Sequence, residues 1–193
     1  MRRLCVFCGS SVGNNSAYAD AAEAMGALLA KRGIGLVYGG GHVGLMGVIA
    51  EAALAAGGEV IGVIPRALFE REIGHSGVTD LRIVDSMHTR KAMMADLADA
   101  FVAMPGGVGT FEELFEAITW TQLGLHRKAC GLLNVAGFYS PLAAFIDQAV
   151  SEGFIKPIHR AAIVVDDDPE RLLDTLSTVQ VPDVPKWIKK DET

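Results

Sequence analysis

Polarity along the chain alternates between short, uniformly apolar runs and longer segments whose apolar positions recur every three or four residues. The short runs are LCVFC (4–8), GLVYG (35–39), EVIGVIP (59–65), LRIVD (81–85), AFVAM (100–104), ACGLLNV (129–135) and AAIVVDD (161–167). The longer, helix-like patterns fall at about 17–32, 44–57, 86–98, 111–124, 140–152 and 169–178. Short apolar runs rich in β-branched residues read as strands buried on both faces, as in a parallel sheet. Their strict alternation with helices predicts an α/β fold. We expect a single-domain, Rossmann-like, doubly wound parallel sheet with helices on both faces, spanning residues 1–180. RALFEREIGHSGVTD, between the third and fourth runs, predicts a short helical turn and a loop. The last residues, 181–193, carry two prolines and mixed charge and read as a loosely held tail.

Composition narrows the function classes. A chain of 193 residues, half of them hydrophobic, can bury one sizeable core. A formal net charge of -6 without a basic block argues against nucleic acid or a membrane surface as partner. No apolar run approaches the roughly 20 residues that span a bilayer. The apolar stretch after Arg2 and Arg3 is too short for a secretory leader, so the expected location is cytoplasmic. Cys5, Cys8 and Cys130 are too few for a disulfide framework. Three apart on a strand, Cys5 and Cys8 point to opposite faces, which predicts buried free thiols rather than a redox or zinc pair.

Sheets of this kind bind ligands beyond the carboxyl ends of their strands. Four strand-to-helix turns lie there: CGSS (8–11), YGGGHVGLMG (38–47), DSMHTRKA (85–92) and MPGGVGT (104–110). GGGHVG has the spacing of a dinucleotide fingerprint, but the next strand ends in Ile64, Pro65 and Arg66 and lacks the acidic residue that would hold a ribose. A nicotinamide or flavin cofactor is therefore not expected. The glycines can still bring backbone N–H groups close to an anion, at Gly39, Gly40 and Gly41 and again at Gly106, Gly107 and Gly109. For one such stretch a tight turn is the better explanation; two at one sheet edge favour a nucleotide-like ligand. Neither is a Walker A loop, which disfavours triphosphate hydrolysis.

Charge placement adds to this. Ser86 is a good N-cap, so Arg90 and Lys91 fall near the first turn of a helix, where cations oppose the macrodipole by up to about 1 kcal/mol. Arg90 can fork onto a phosphate or ribose oxygen, with Lys91 as a point charge beside it; a solvated surface pair is the alternative. Glu112 and Glu113 sit where carboxylates are comfortable, and Thr110 to Glu113 reads as a capping box with Thr110 as N-cap. At 100° per residue, Phe111, Leu114, Phe115 and Ile118 form a stripe that should face the sheet, with Glu113 and Trp120 on the opposite side. The five histidines, His42, His75, His88, His126 and His159, show no metal-ligand spacing, and neither a metal nor a cofactor is expected.

PGGVGTFEE fits the pattern P-G-G-x-G-T-x-x-E. Together with MHTRKA, YGGGHVGLMG and CGSS it closely resembles the Lonely Guy (LOG) family of cytokinin riboside 5′-monophosphate phosphoribohydrolases, from about residue 4 to 178. That resemblance implies a homodimer, with its active site near the subunit interface, that cleaves the N-glycosidic bond of N6-substituted AMP to free base and ribose 5-phosphate. It also implies that Arg90 and Glu113 are the catalytic pair and that Gly106, Gly107, Gly109 and Thr110 form the phosphate loop. The wider substrate contacts expected on the turns are Gly9, Ser10, Gly39, Gly40, Gly41, Met87, Lys91, Pro105 and Val108, where relatives commonly carry an aromatic at the last of these. The alternative from another class is a nucleotide or cofactor carrier or sensor of related fold without turnover.

The chemistry implied is coherent. Cleaving a glycosidic bond builds positive charge on the sugar. One ligand then carries an anion at its 5′ end and a transient cation at its anomeric carbon. Backbone amides of the glycine turn suit the first, and the Glu113 carboxylate suits the second. Arg90 either fixes the phosphoribose or assists the departing base.

Overall fold

The computed structural model describes residues 1–70 and 74–181. Seven strands, β1 (Arg3–Phe7), β2 (Gly35–Tyr38), β3 (Val60–Pro65), β4 (Asp80–Val84), β5 (Ala100–Ala103), β6 (Cys130–Leu133) and β7 (Ile163–Asp166), form one sheet. Their order is β4-β3-β2-β1-β5-β6-β7, with every pairing parallel. The seven apolar runs thus became the seven strands, most of them trimmed by a residue or two at an end. β1, β2, β3, β5 and β6 are buried almost throughout, as expected of strands covered on both faces.

The helices are α1 (Ser16–Lys31), α2 (Gly44–Ala55), α3 (Arg66–Leu68), α4 (Met87–Leu97), α5 (Val108–Gln122), α6 (Ser140–Ser151), α7 (Pro157–Arg160) and α8 (Pro169–Thr178). α1, α2 and α8 pack on one face of the sheet through residues such as Met25, Ile49 and Leu172. α4, α5 and α6 cover the other through Met94, Leu114 and Ile146. The periodic segments missed α7, a four-residue helix started by Pro157 and too short to show a period, and the 3-10 turn Val135–Gly137. The tail expected at 181–193 lies outside the described residues apart from Val181. Among the described residues no helix is long and apolar enough to cross a membrane.

The three cysteines are free and buried, with Cys5 and Cys8 in the cores on opposite faces. Burial pushes all three thiols upward, Cys130 to about 12, so they are held protonated.

The strand order reverses between β1 and β5, whose neighbours lead away in opposite directions. The crevice rule therefore points to the turns after these two strands. They touch: Gly9 N–H donates to Pro105 O at 3.1 Å.

Candidate active site

The turn after β5 leads into α5 sooner than the capping-box reading allows. Gly107 is the N-cap, with extended backbone, and makes no side-chain cap hydrogen bond. Thr110 is therefore the third helical residue, not the cap, and Glu113 sits a full turn further in. Gly107 and Gly109 are exposed and have no neighbouring atom within 4 Å of where a side chain would begin. The first N–H groups of a helix have no partner within it, so those at this exposed helix start are available to a ligand. Gly106 is different: a Cβ there would collide with the Thr110 hydroxyl, and Thr110 is buried beneath it. A cleft of 210 Å³ lies over this junction, lined by Gly9, Ser10, Gly13, Tyr18, Gly106 and Phe138 among others.

Glu113 faces α4. Its Oε1 is 3.2 Å from Arg90 Nη1, and the two side chains are 11% and 9% exposed, so this ion pair is nearly dry. Arg90 is held from below by the strand ends. Nε donates to Val63 O at 3.1 Å and Nη2 to Gly39 O at 3.4 Å, while Nη1 also lies 3.7 Å from Met87 Sδ. Arg90 follows the first turn of α4, whose cap forms as expected: Ser86 Oγ accepts from Thr89 N–H at 3.0 Å.

Burial pushes the Glu113 carboxyl upward. Arg90 pulls it back, Glu112 pushes it up again, Lys91 pulls and Glu116 pushes, and the balance stays above the ordinary value of 4.5. Glu113 is thus a buried carboxylate steadied by one fixed guanidinium. It can take up a proton more readily than a surface glutamate, or face a developing positive charge without water between.

Lys91 points the other way, across to α5. Nζ lies 2.6 Å from Glu112 Oε1 and 3.0 Å from Glu116 Oε1. Burial alone would lower its pKa, but the two carboxylate hydrogen bonds outweigh it and the net shift is upward.

The glycine turn after β2 is used in a way the residues alone did not suggest. A Cβ at Gly39 would collide with Arg90 Nη2, so this glycine makes room for the guanidinium. Gly40 has φ +74 and packs against Val63 and Ile64, and its carbonyl accepts from His75 N–H at 2.8 Å. Gly41 bridges Gly74. This turn shapes the arginine seat and docks the segment after β3.

A family model described as possible lysine decarboxylase matches residues 46–176. The chain is 56% identical over 163 residues to the cytokinin riboside 5′-monophosphate phosphoribohydrolase LOG of Oryza sativa subsp. japonica, covering 84% of this chain and 67% of that one. It is 54% identical over 175 residues to the phosphoribohydrolase LOG1 of Arabidopsis thaliana, covering 91% and 82%. The chain belongs to the LOG family. In fold, this LOG protein is similar to the molybdenum cofactor carrier protein of Chlamydomonas reinhardtii, with TM-score 0.69, 20% identity and coverage of 92% and 97%.

The decarboxylase label of the family model finds no support in Lys91, whose pKa moves opposite to what a Schiff-base amine needs. Of the residues expected at the LOG site, the structure gathers Arg90, Glu113, Met87 and Gly39 into one cluster, and Gly9, Ser10, Pro105, Gly106 and Gly107 around the cleft. Val108 is 83% exposed at the start of α5.

Two other expectations need correction. Phe115 is 39% exposed, and the sheet-facing stripe of α5 is Thr110, Leu114, Ala117, Ile118 and Thr121. Glu113 and Trp120 accordingly lie on the flank toward α4, sharing a lining with Lys91, Ala95 and Phe101, not on the far side of the helix. Sequence reasoning missed the Val63 carbonyl and Glu116. A signal for Glu116 existed: carboxylates at 112 and 116 are four apart on a helix, a repulsive spacing that calls for a cation from elsewhere.

Proposed function

We propose that this protein hydrolyses the N-glycosidic bond of N6-substituted AMP, the cytokinin riboside 5′-monophosphates, and of AMP, releasing the base and ribose 5-phosphate. The observation that carries the reading is the dry Arg90–Glu113 pair, set one turn inside a helix whose start, Gly107 to Gly109, is exposed and lacks a side-chain cap. The names of the relatives supply the substrate class.

In the reaction, the 5′-phosphate rests on the amides of Gly107, Val108 and Gly109 at the positive end of α5, with the turn at Gly9 and Ser10 beside it. The ribose then lies toward Glu113. As the bond to the base lengthens, its electron pair leaves with the base nitrogen and the sugar becomes cationic. The carboxylate stabilises it and takes a proton from the attacking water as the new carbon–oxygen bond forms, and the base nitrogen gains a proton from solvent to leave as free base. Arg90, already tied to Val63 O and Gly39 O, keeps Glu113 ionised and aimed; this orienting role suits its contacts better than a fork onto phosphate. Met87 and Val108, both exposed and apolar, border the site. A second subunit that covered them would complete it, so the reading includes a homodimer with the active site near the interface, which light scattering tests. The three buried free thiols suit a reducing, cytoplasmic location.

The deciding experiment incubates the protein with AMP and with N6-isopentenyl-AMP and follows free base by chromatography. Release of base with ribose 5-phosphate is the expected result. Binding of either nucleotide without release would identify a carrier and overturn the hydrolase reading.

A further inference from the structure

Lys91 is committed to the protein. Two of its three N–H donors close on Glu112 and Glu116, one turn apart on α5, and its side chain is only 14% exposed. One ammonium between two carboxylates leaves the cluster negative, a poor place to receive a phosphate. Its position in the chain is equally telling. Arg90 and Lys91 are consecutive on α4, and Glu112 and Glu113 are consecutive on α5, so two ion pairs cross the same helix–helix seam side by side. One couples the pair assigned to the chemistry. The other, with Glu116 added, ties together the backbones that carry it.

We infer that Lys91 is a positioning residue for the hydrolysis: it fixes α5 against α4 and screens Glu113 from Glu112 and Glu116, and it does not ligate the substrate's phosphate. The kinetic part of this rests on the hydrolase reading; the electrostatic part rests on the Lys91 contacts to Glu112 and Glu116 and on the charges around Glu113, and is independent of that reading. The charges acting on Glu113 are Arg90 and Lys91 from α4 and Glu112 and Glu116 from its own helix; the Cys5 and Cys8 thiols, from β1 and the turn after it, feel its charge but are held protonated and so add none of their own. Lys91 lowers the Glu113 pKa, and Glu112 and Glu116 raise it. Removing the lysine therefore leaves Glu113 facing two unscreened carboxylates.

The test uses the full chain and three variants. In Lys91→Met, kcat on AMP or N6-isopentenyl-AMP should fall about tenfold, as a small misplacement of a reacting group does, while KM stays within about twofold. The Glu113 carboxyl, followed by carbon NMR without substrate, should titrate at higher pH than in the wild type, and the acid limb of kcat should move with it. Lys91→Arg, which can bridge both carboxylates, should recover most of the rate. The double variant Glu112→Gln/Glu116→Gln keeps the lysine but loosens the bridge, so kcat should again fall while the Glu113 pKa moves down. A lysine that bound phosphate would give the opposite kinetics: KM would rise in Lys91→Met and drop in the double variant, where the ammonium is released. That pattern, or a Glu113 titration indifferent to both changes, overturns the inference. If the wild-type protein hydrolyses neither nucleotide, the hydrolase reading fails while the NMR titrations still decide the screening role of Lys91.

Discussion

Glu113→Gln isolates charge from shape. Because Glu113 lies inside α5 and caps nothing, the substitution acts through Arg90 and through the ligand, not through the helix end. The amide oxygen of Gln can still accept from Arg90 Nη1, so the fold exchanges a charged hydrogen bond for a neutral one, about 1 kcal/mol. Burial offsets part of this, since the carboxylate is already penalised in its ionised form. For a domain of this size about 1 kcal/mol moves Tm by roughly 2–4 °C. Catalysis should suffer far more. A carboxylate about 4 Å from a sugar carrying nearly a full positive charge contributes about 4 kcal/mol at an effective dielectric of 20, which converts to roughly a thousandfold in rate. The expected result is a variant that melts within a few degrees of wild type, binds nucleotide with similar KM, and turns over about 10³ times more slowly. Steady-state release of free base, measured beside a thermal melt, checks both halves. A well-folded Glu113→Gln protein that kept more than about a tenth of the wild-type kcat would refute the assignment of the cation to this carboxylate.

Three further outcomes are expected. Gly39→Ala places a methyl on the Arg90 guanidinium and should cost about 1–3 kcal/mol of stability as overpacking, with a loss of kcat from the displaced arginine, read by melting and by turnover. Gly106→Ala and Gly107→Ala should separate: the first meets the Thr110 hydroxyl and destabilises, whereas the second has open space, folds normally, and should raise KM about tenfold, roughly 1.4 kcal/mol, by filling the room of the phosphate. Activity should fall on the acid side at a pH above the ordinary glutamate value, because burial raises the Glu113 carboxyl above 4.5. By linkage, a folded pKa above the unfolded one means the native state holds this proton more tightly. From about 4.5 upward, ionisation of Glu113 therefore subtracts from stability, and denaturant titrations should show Glu113→Gln gaining relative to wild type as pH rises through that window.

What the residues determined unaided were the features written in local patterns. Strands buried on both faces must be apolar throughout and helices must repeat their apolar positions near every third or fourth residue, so the α/β alternation and the turns at its carboxyl edge were legible without coordinates. The pairing of an anion-tolerant glycine turn with a nearby glutamate was legible for the same reason, since both lie within one short segment. What only the tertiary structure decided were contacts between residues far apart in the chain. Arg90 meets Gly39 across 51 positions and Val63 across 27, and Lys91 meets Glu112 across 21. Nothing local distinguishes a glycine that cradles an anion from one that clears a path for a guanidinium; the strand order places β2 and β3 under α4 and makes that choice. The start of α5 was decided in the same way. Thr110 has the right chemistry for a cap, yet it is buried beneath Gly106 and the helix begins at Val108. The outward turn of Phe115 follows, because the sheet accepts Thr110, Leu114, Ala117, Ile118 and Thr121 and leaves the larger ring on the rim. Periodicity names the faces of a helix, and packing against the sheet selects which of them is buried.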